Sequence, residues 1–202
     1  MSSYPWEHDA FKHMLEGVTR QHFFEEFHEN KSLHSLHDDP KRYSDLLSID
    51  RIDEVIANSE LPPEALRMAR SEPSITRSNY TFSNGNIDRG AVVRHYQQGA
   101  TIILPQLHLA DEVLAHFCRA LEKIFSTHVQ TNIYLTPPNN KGFDTHYDDH
   151  DVFVMQISGK KNWKLYRKPI ENPYRGENFK PNVHEAGEVI EEFVLNAGDF
   201  FY

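Results

Sequence analysis

Residues 143–166 have the sequence FDTHYDDHDVFVMQISGKKNWKLY, and this stretch decides the predicted fold. Its first part places His146 and Asp148 two positions apart in a run of acidic and imidazole side chains. Its second part alternates apolar residues on both sides of a Ser-Gly turn, which predicts two β-strands joined as a hairpin. We expect this hairpin to carry a metal on one side and an anion anchor on the other, within a barrel built by the rest of the chain.

The His-x-Asp spacing suits a metal. On an extended strand, residues two apart face the same way, so His146 and Asp148 can offer an imidazole nitrogen and a carboxylate oxygen to one ion. The spacing also occurs at His37 and Asp39, in a turn before Pro40. We interpret this second occurrence as a chance match, because short motifs recur at random and no strand pattern surrounds it.

Lys161 is the candidate anion anchor. The return strand of the predicted hairpin places it on the same face as Trp163, a residue type typical of cores. A lysine that points into a barrel is costly unless a negative charge meets it, such as the carboxylate of an acidic cosubstrate. The alternative is that Lys161 bends out to solvent at the rim. Asn132 and Tyr134 share one face of an earlier strand and either line the same cavity or lie at its rim.

Composition excludes several classes of protein. The chain has 202 residues, 39% hydrophobic and 25% charged, which is typical of a globular domain, and no apolar run approaches the roughly 18 residues of a membrane span. A net charge of -9 disfavours direct nucleic-acid binding and tolerates a basic protein partner. The N-terminus lacks a secretory signal, so we expect a cytoplasmic location, or a nuclear or nucleolar one in a eukaryote. Cys118 lies in an apolar helical pattern and is expected to be a buried, inert thiol.

Periodicity predicts helices first and strands later. We expect a helical segment over 1–72 and a β-rich domain over 73–202. The predicted helices cover residues 7–29, 48–58 and 110–125, with a short turn or helix over 62–70. The predicted strands cover 75–82, 91–96, 101–104, 129–135, 152–157, 162–167 and 192–195. Residues 168–187 are polar with three prolines and are predicted to form a loop over one mouth of the barrel.

Residues 131–167, TNIYLTPPNNKGFDTHYDDHDVFVMQISGKKNWKLYR, resemble the metal-binding core of the JmjC ribosomal oxygenases and their bacterial cupin relatives. The similarity continues more loosely in LNAGDFFY at 195–202. It implies a mainly β fold with helices, a double-stranded β-helix (the cupin or JmjC jelly roll) preceded by a helical segment. It also implies a dioxygenase that uses Fe(II), 2-oxoglutarate and O₂ to hydroxylate a side chain of a protein, expected to be a basic ribosomal protein.

By position, the resemblance implies that His146 and Asp148 are Fe(II) ligands and that Lys161 binds the distal carboxylate of 2-oxoglutarate. It implies that Asn132 and Tyr134 lie near the cosubstrate or the substrate. Two histidines and one carboxylate on one side of iron leave positions open for a bidentate 2-oxo acid and for O₂.

One departure from the family concerns the second histidine ligand, which in such proteins follows the Gly-Asp turn on a strand beyond Tyr202. The chain as given therefore lacks a complete triad and the closing barrel strands, which leaves a fragment or an inactive chain as expectations. His150 and His184 are the nearest substitutes. The alternatives to a hydroxylase are a non-catalytic cupin-like binding module and a histone lysine demethylase, and a full-length form is expected to form a homodimer.

Overall fold

The computed structural model describes residues 4–58 and 61–202. Its contacts divide the chain into two compact units. Unit 1 combines Met1–Ser48 with Thr145–Tyr202, and unit 2 is the continuous stretch Ile49–Asp144. No helix in the part of the chain that is described is both long and apolar enough to cross a membrane.

Unit 1 begins with two short helices, α1 (Ala10–Met14) and α2 (Arg20–Glu26). The predicted single helix over 7–29 is wrong, because Gly17 adopts a positive φ of 87° between them and Thr19 caps α2 by accepting the His22 N–H. The strands of this unit are β1 (His34–Ser35), β5 (Val154–Met155), β6 (Lys160–Tyr166), β7 (Val189–Asn196) and β8 (Phe200–Phe201).

The strands of unit 1 form two antiparallel sheets, one in the order β1-β8-β5 and one of β6 with β7. The predicted hairpin of β5 with β6 is therefore wrong. The Ser158–Gly159 turn exists, with Gly159 at a φ of 66°, but it carries the chain from one sheet to the other. Val154 pairs with Phe201 in the first sheet, while Lys161 pairs with Leu195 in the second.

Aromatic contacts join the two sheets of unit 1. The Phe201 ring of β8 lies 5.8 Å from Trp163 of β6 and 5.0 Å from Phe193 of β7. Phe23 of α2 packs against Phe153 and Tyr202, with ring centroids 6.0 Å and 5.0 Å apart. Such buried aromatic surface is a main source of stability in a small core.

Unit 2 contains α3 (Ile49–Asn58), α4 (Arg89–Gln97), α5 (Glu112–Phe125), β2 (Arg67–Ala69), β3 (Thr101–Leu104) and β4 (Ile133–Leu135). Three 3₁₀ turns accompany them, at Pro63–Ala65, Arg77–Asn79 and Leu107–Leu109. The sheet order is β2-β3-β4, so all four residues of the central strand β3 are buried. Asp111 caps α5 and its carboxylate also accepts the Arg51 Nε–H of α3 at 2.9 Å.

The structure confirms the predicted α3, β3 and α5, and overturns two predicted strands in unit 2. Residues 91–96 lie within α4, whose N-terminus is capped by Asp88 accepting the Ala91 N–H at 3.0 Å. Residues 75–82 contain the 3₁₀ turn Arg77–Asn79, where Thr76 and Asn79 form a capping box. Capping by short polar side chains outweighed the strand preference of Ile75, Val92 and Val93.

Candidate metal and cosubstrate site

His146 and Asp148 lie in a segment without helix or strand structure, ahead of β5. Exposure alternates along it: His146 and Asp148 are exposed, whereas Tyr147 between them is half-buried. The side chains of both predicted ligands are therefore accessible to solvent. Their donors, one imidazole nitrogen and one carboxylate, are of the types that bind Fe(II), so the residues present fit the metal in chemistry.

The residues that alternate with these ligands contact the loop at 168–187. The Tyr147 hydroxyl donates to His184 Nδ1 at 3.2 Å, and its ring meets the Phe179 ring edge-on with centroids 5.5 Å apart. The Gly176 N–H donates to Asp149 Oδ2. This bond, together with one from His150, holds the pKa of Asp149 below its usual range. Tyr147 belongs to no motif in the sequence, although its place between two predicted ligands could have indicated its role.

Neither substitute for the third ligand joins His146 and Asp148. His150 Nδ1 lies 3.2 Å from Asp149 Oδ1, and His184 Nδ1 already accepts the Lys180 N–H at 3.0 Å. Within residues 4–58 and 61–202, the one group of three donor residues close enough for a shared ion does not contain either predicted ligand. His146 and Asp148 therefore form no such three-donor group with another described residue.

That group of three consists of His28, Glu29 and Asp151, whose donor atoms lie within 4.8 Å of one another. His28 Nε2 is 3.9 Å from Asp151 Oδ2, at the outer limit of an ion pair. The Tyr202 hydroxyl donates to Asp151 Oδ1 and accepts the Glu29 N–H, both at 2.9 Å. Burial first, and then Asp151, raise the pKa of Tyr202. The group ties α2 to the strands β5 and β8 of unit 1.

Lys161 lies at the start of β6 with its Nζ 4.8 Å from the centre of the Trp163 ring. The predicted common face of these two residues is thus present, although the Lys161 side chain is exposed over part of its surface. Burial of its ammonium end lowers the pKa of Lys161. None of the described carboxylates lies within ion-pair distance of it, and the buried Trp163 Nε1–H has no hydrogen-bond partner among the described residues. An ammonium group without a carboxylate partner among the described residues fits an anion supplied from solution.

Asn132 and Tyr134 belong to unit 2, whereas His146, Asp148 and Lys161 belong to unit 1. Asn132 Oδ1 accepts the N–H of Gln106 at 3.0 Å, where Gln106 has a positive φ of 52°. Tyr134 is half-exposed on β4, with its ring 5.5 Å from Phe143. Within unit 2, both side chains therefore have contacts of a structural kind.

Residues 103–202 match the JmjC domain family. The chain is 31% identical to the bifunctional lysine-specific demethylase and histidyl-hydroxylase NO66 of Drosophila yakuba, over 94% of this chain and 28% of that protein. It is 32% identical to the Drosophila grimshawi protein of the same name, over 94% and 26%. It thus spans little more than a quarter of the length of these relatives.

Among solved structures, the chain is similar to the X-ray structure of Escherichia coli ycfD. The TM-score is 0.55 at 16% identity, and the match covers 92% of this chain and 47% of that one. At this identity the likeness concerns the fold alone. Together with the match of residues 103–202 to the JmjC domain, it confirms the predicted cupin-type fold class.

Proposed function

We propose that this chain provides the iron and cosubstrate site of an Fe(II)- and 2-oxoglutarate-dependent oxygenase that hydroxylates a protein side chain. The observation that carries the proposal is that His146 and Asp148, two positions apart in one segment, both have exposed side chains. The unpaired ammonium of Lys161 adds the second requirement, a cation for the cosubstrate.

Each residue has a defined part in this proposal. His146 and Asp148 hold the iron, and Lys161 pairs with the distal carboxylate of 2-oxoglutarate, while Trp163 Nε1–H is a further donor on the same strand. When bound, iron, 2-oxoglutarate and O₂ supply the oxidising chemistry for an unactivated C–H bond. Asn132 and Tyr134 are proposed as cavity residues, on the resemblance described above.

The substrate we propose is a basic protein, with a ribosomal protein as the first choice. The net charge of -9 favours a positively charged partner through long-range attraction. The names of the relatives add two chemistries, histidyl hydroxylation and lysine demethylation. Basic peptides that contain histidine or methyl-lysine separate the two by mass, because hydroxylation adds an oxygen atom and demethylation removes a methyl group.

Fe(II)-dependent release of succinate from 2-oxoglutarate tests the proposed activity. We expect His146→Ala to abolish it, because the imidazole is one of two ligands on this segment. His150→Ala is the matched control, since His150 is exposed four positions along and paired with Asp149. Succinate release that persists unchanged in His146→Ala contradicts the proposal.

A second candidate is a non-catalytic module that binds 2-oxoglutarate, favoured because neither His146 nor Asp148 belongs to a group of three donor residues among those described. Calorimetric titration with 2-oxoglutarate distinguishes it. Binding that Lys161→Ala removes, without succinate release under any metal condition, identifies this second candidate. Absence of binding together with absence of turnover rejects both.

A further inference from the structure

The loop at 168–187 is an ordered element of unit 1. At its base, Arg167 and Glu188 form an ion pair, and the Arg167 N–H donates to the Glu188 carbonyl at 2.9 Å. Further along, the Tyr174 N–H donates to Glu177 Oε2 at 2.8 Å and the Lys180 N–H donates to His184 Nδ1 at 3.0 Å. These hydrogen bonds restrain the conformation of the loop, so the loop can in turn restrain the residues that it contacts.

What the loop touches is the segment that carries the predicted ligands. Phe179 and His184 hold the ring and the hydroxyl of Tyr147, and the Gly176 N–H holds the Asp149 carboxylate. Tyr147 and Asp149 alternate with His146 and Asp148 along the chain. Tyr147 and Asp149, which make these loop contacts, are half-buried, whereas His146 and Asp148 are exposed.

Strand pairing does not fix the direction of the predicted ligands, because residues 145–150 lie outside the strands of both sheets of unit 1. In a sheet, ladder hydrogen bonds would fix the side to which each residue points. Here the side chains of Tyr147 and Asp149 perform that task. His184 Nδ1 brings the two partners together, because it accepts the Lys180 N–H at 3.0 Å and lies 3.2 Å from the Tyr147 hydroxyl.

We propose that the loop at 168–187 is a positioning element for the metal site, and that Tyr147 is its main positioning residue. The inference rests on the proposed function, since it takes His146 and Asp148 as the ligands. Residues that orient metal ligands affect metal affinity although they do not contact the ion themselves. The loop thus contributes to catalysis through the geometry of the site, and its exposed Tyr174 is dispensable for that role.

The test combines metal affinity with backbone exchange, on the full chain. Mn²⁺ binding, followed by electron paramagnetic resonance, is measured for the wild type, Tyr147→Phe, His184→Ala and the double variant. Tyr174→Phe, which removes a hydroxyl from a side chain on the same loop that is 81% exposed, is the matched control. Hydrogen–deuterium exchange of residues 145–150 is measured on the same proteins.

We expect Tyr147→Phe and His184→Ala each to weaken Mn²⁺ binding by about three- to tenfold, the worth of one hydrogen bond, and the double variant to be no worse than either. Exchange of residues 145–150 should rise in His184→Ala and stay unchanged in Tyr174→Phe. Affinity within about twofold of the wild type in Tyr147→Phe overturns the inference.

Failure of the proposed function gives a different result. In that case, Mn²⁺ binding is absent from the wild type or is insensitive to His146→Ala. Hydrogen–deuterium exchange then tests the positioning role by itself. A loop that restrains residues 145–150 should slow their exchange whether or not a metal is bound. Unchanged exchange of residues 145–150 in His184→Ala overturns the positioning role.

Discussion

Lys161 is unusual at the scale of a single residue because its cation faces an aromatic ring and no described carboxylate. Burial lowers its pKa, so the folded chain holds this proton less tightly than the unfolded chain, in which lysine has its ordinary value of 10.5. The unfolded state therefore binds more protons just below pH 10.5, and stability rises with pH in that window. At neutral pH the charge is a cost that a bound carboxylate would remove.

This cost gives a prediction for Lys161→Met, which keeps an apolar stem over Trp163 and removes the charge. We expect the free energy of unfolding of the ligand-free chain to rise at neutral pH. The increase of that free energy with pH just below 10.5 should disappear. Binding of 2-oxoglutarate should be lost. Urea unfolding and calorimetry measure these effects. Lys164→Met is the control: Lys164 is half-exposed and 3.3 Å from Glu192, so its loss should change stability by less than about 1 kcal/mol.

A less stable Lys161→Met chain with normal 2-oxoglutarate affinity would show that Lys161 is a rim residue paired with the indole ring. The sequence left these two interpretations open, because a residue pattern specifies the face of a strand and not the charges that surround it. It predicted His146 and Asp148 as ligands by spacing, but it could not show that Tyr147 contacts His184, 37 residues further along.

The turn between β7 and β8 shows how one element depends on another part of unit 1. Gly198 has a φ of 93°, and a Cβ at this position would lie 2.1 Å from the Asp39 carbonyl oxygen. Next to it, the buried Asp199 accepts the N–H groups of His37 and Asn196. The motif at His37 and Asp39, interpreted as a chance match for metal binding, thus packs against the Gly-Asp turn.

Gly198→Ala is expected to lower the free energy of unfolding by more than about 3 kcal/mol, since backbone must move and the positive φ is strained. Gly17→Ala is the matched control in unit 1. Gly17 has a φ of 87°, and a methyl group added there would meet nothing within 4 Å, so only strain of about 1–2 kcal/mol is expected. Urea titration of both variants measures the difference, and equal losses would show that the contact with Asp39 is relaxed at little cost.

Among the elements, the sequence predicted those with strong local signals. α5 combines a regular apolar stripe with Asp111 at its N-terminus, and β3 is a short β-branched run. The pairing of β5 with β8, about 45 residues away, has no local signal in the sequence. The Ser-Gly turn instead favoured a hairpin of β5 with β6. α4 was mispredicted as a strand because Val92, Val93 and Tyr96 outweighed the capping signal of Asp88.

For the whole molecule, three histidines connect stability to pH. The pKa values of His13, His37 and His108 lie below the ordinary 6.5, and burial is the main cause in each case. The unfolded chain binds more protons than the folded chain below that value, so stability is lost as pH falls through it. His108 adds a geometric reason, because its Nδ1 accepts the Thr131 N–H at 3.3 Å and must stay unprotonated to do so.

We therefore expect the urea midpoint to fall between about pH 7.5 and about pH 5.5. His108→Gln should reduce the slope, whereas His116→Gln, on the exposed side of α5, should leave it unchanged. Carboxylates with depressed pKa values, such as Glu16 and Glu122, lose their contribution only at lower pH. A midpoint that is flat or rises as pH falls over this range would contradict the expectation.

Unit 1 is assembled from the two ends of the chain, and this has a consequence for biosynthesis. His34 and Ser35 pair with Phe201 and Phe200, which the ribosome adds more than 160 residues later. Unit 2 is continuous, so its partners are all available once residue 144 has emerged. Until residues 153 and 202 are made, Phe23 lacks the ring contacts that it makes with Phe153 and Tyr202. The nascent chain thus presents a long-lived apolar segment to chaperones, and the continuous unit has time to fold first.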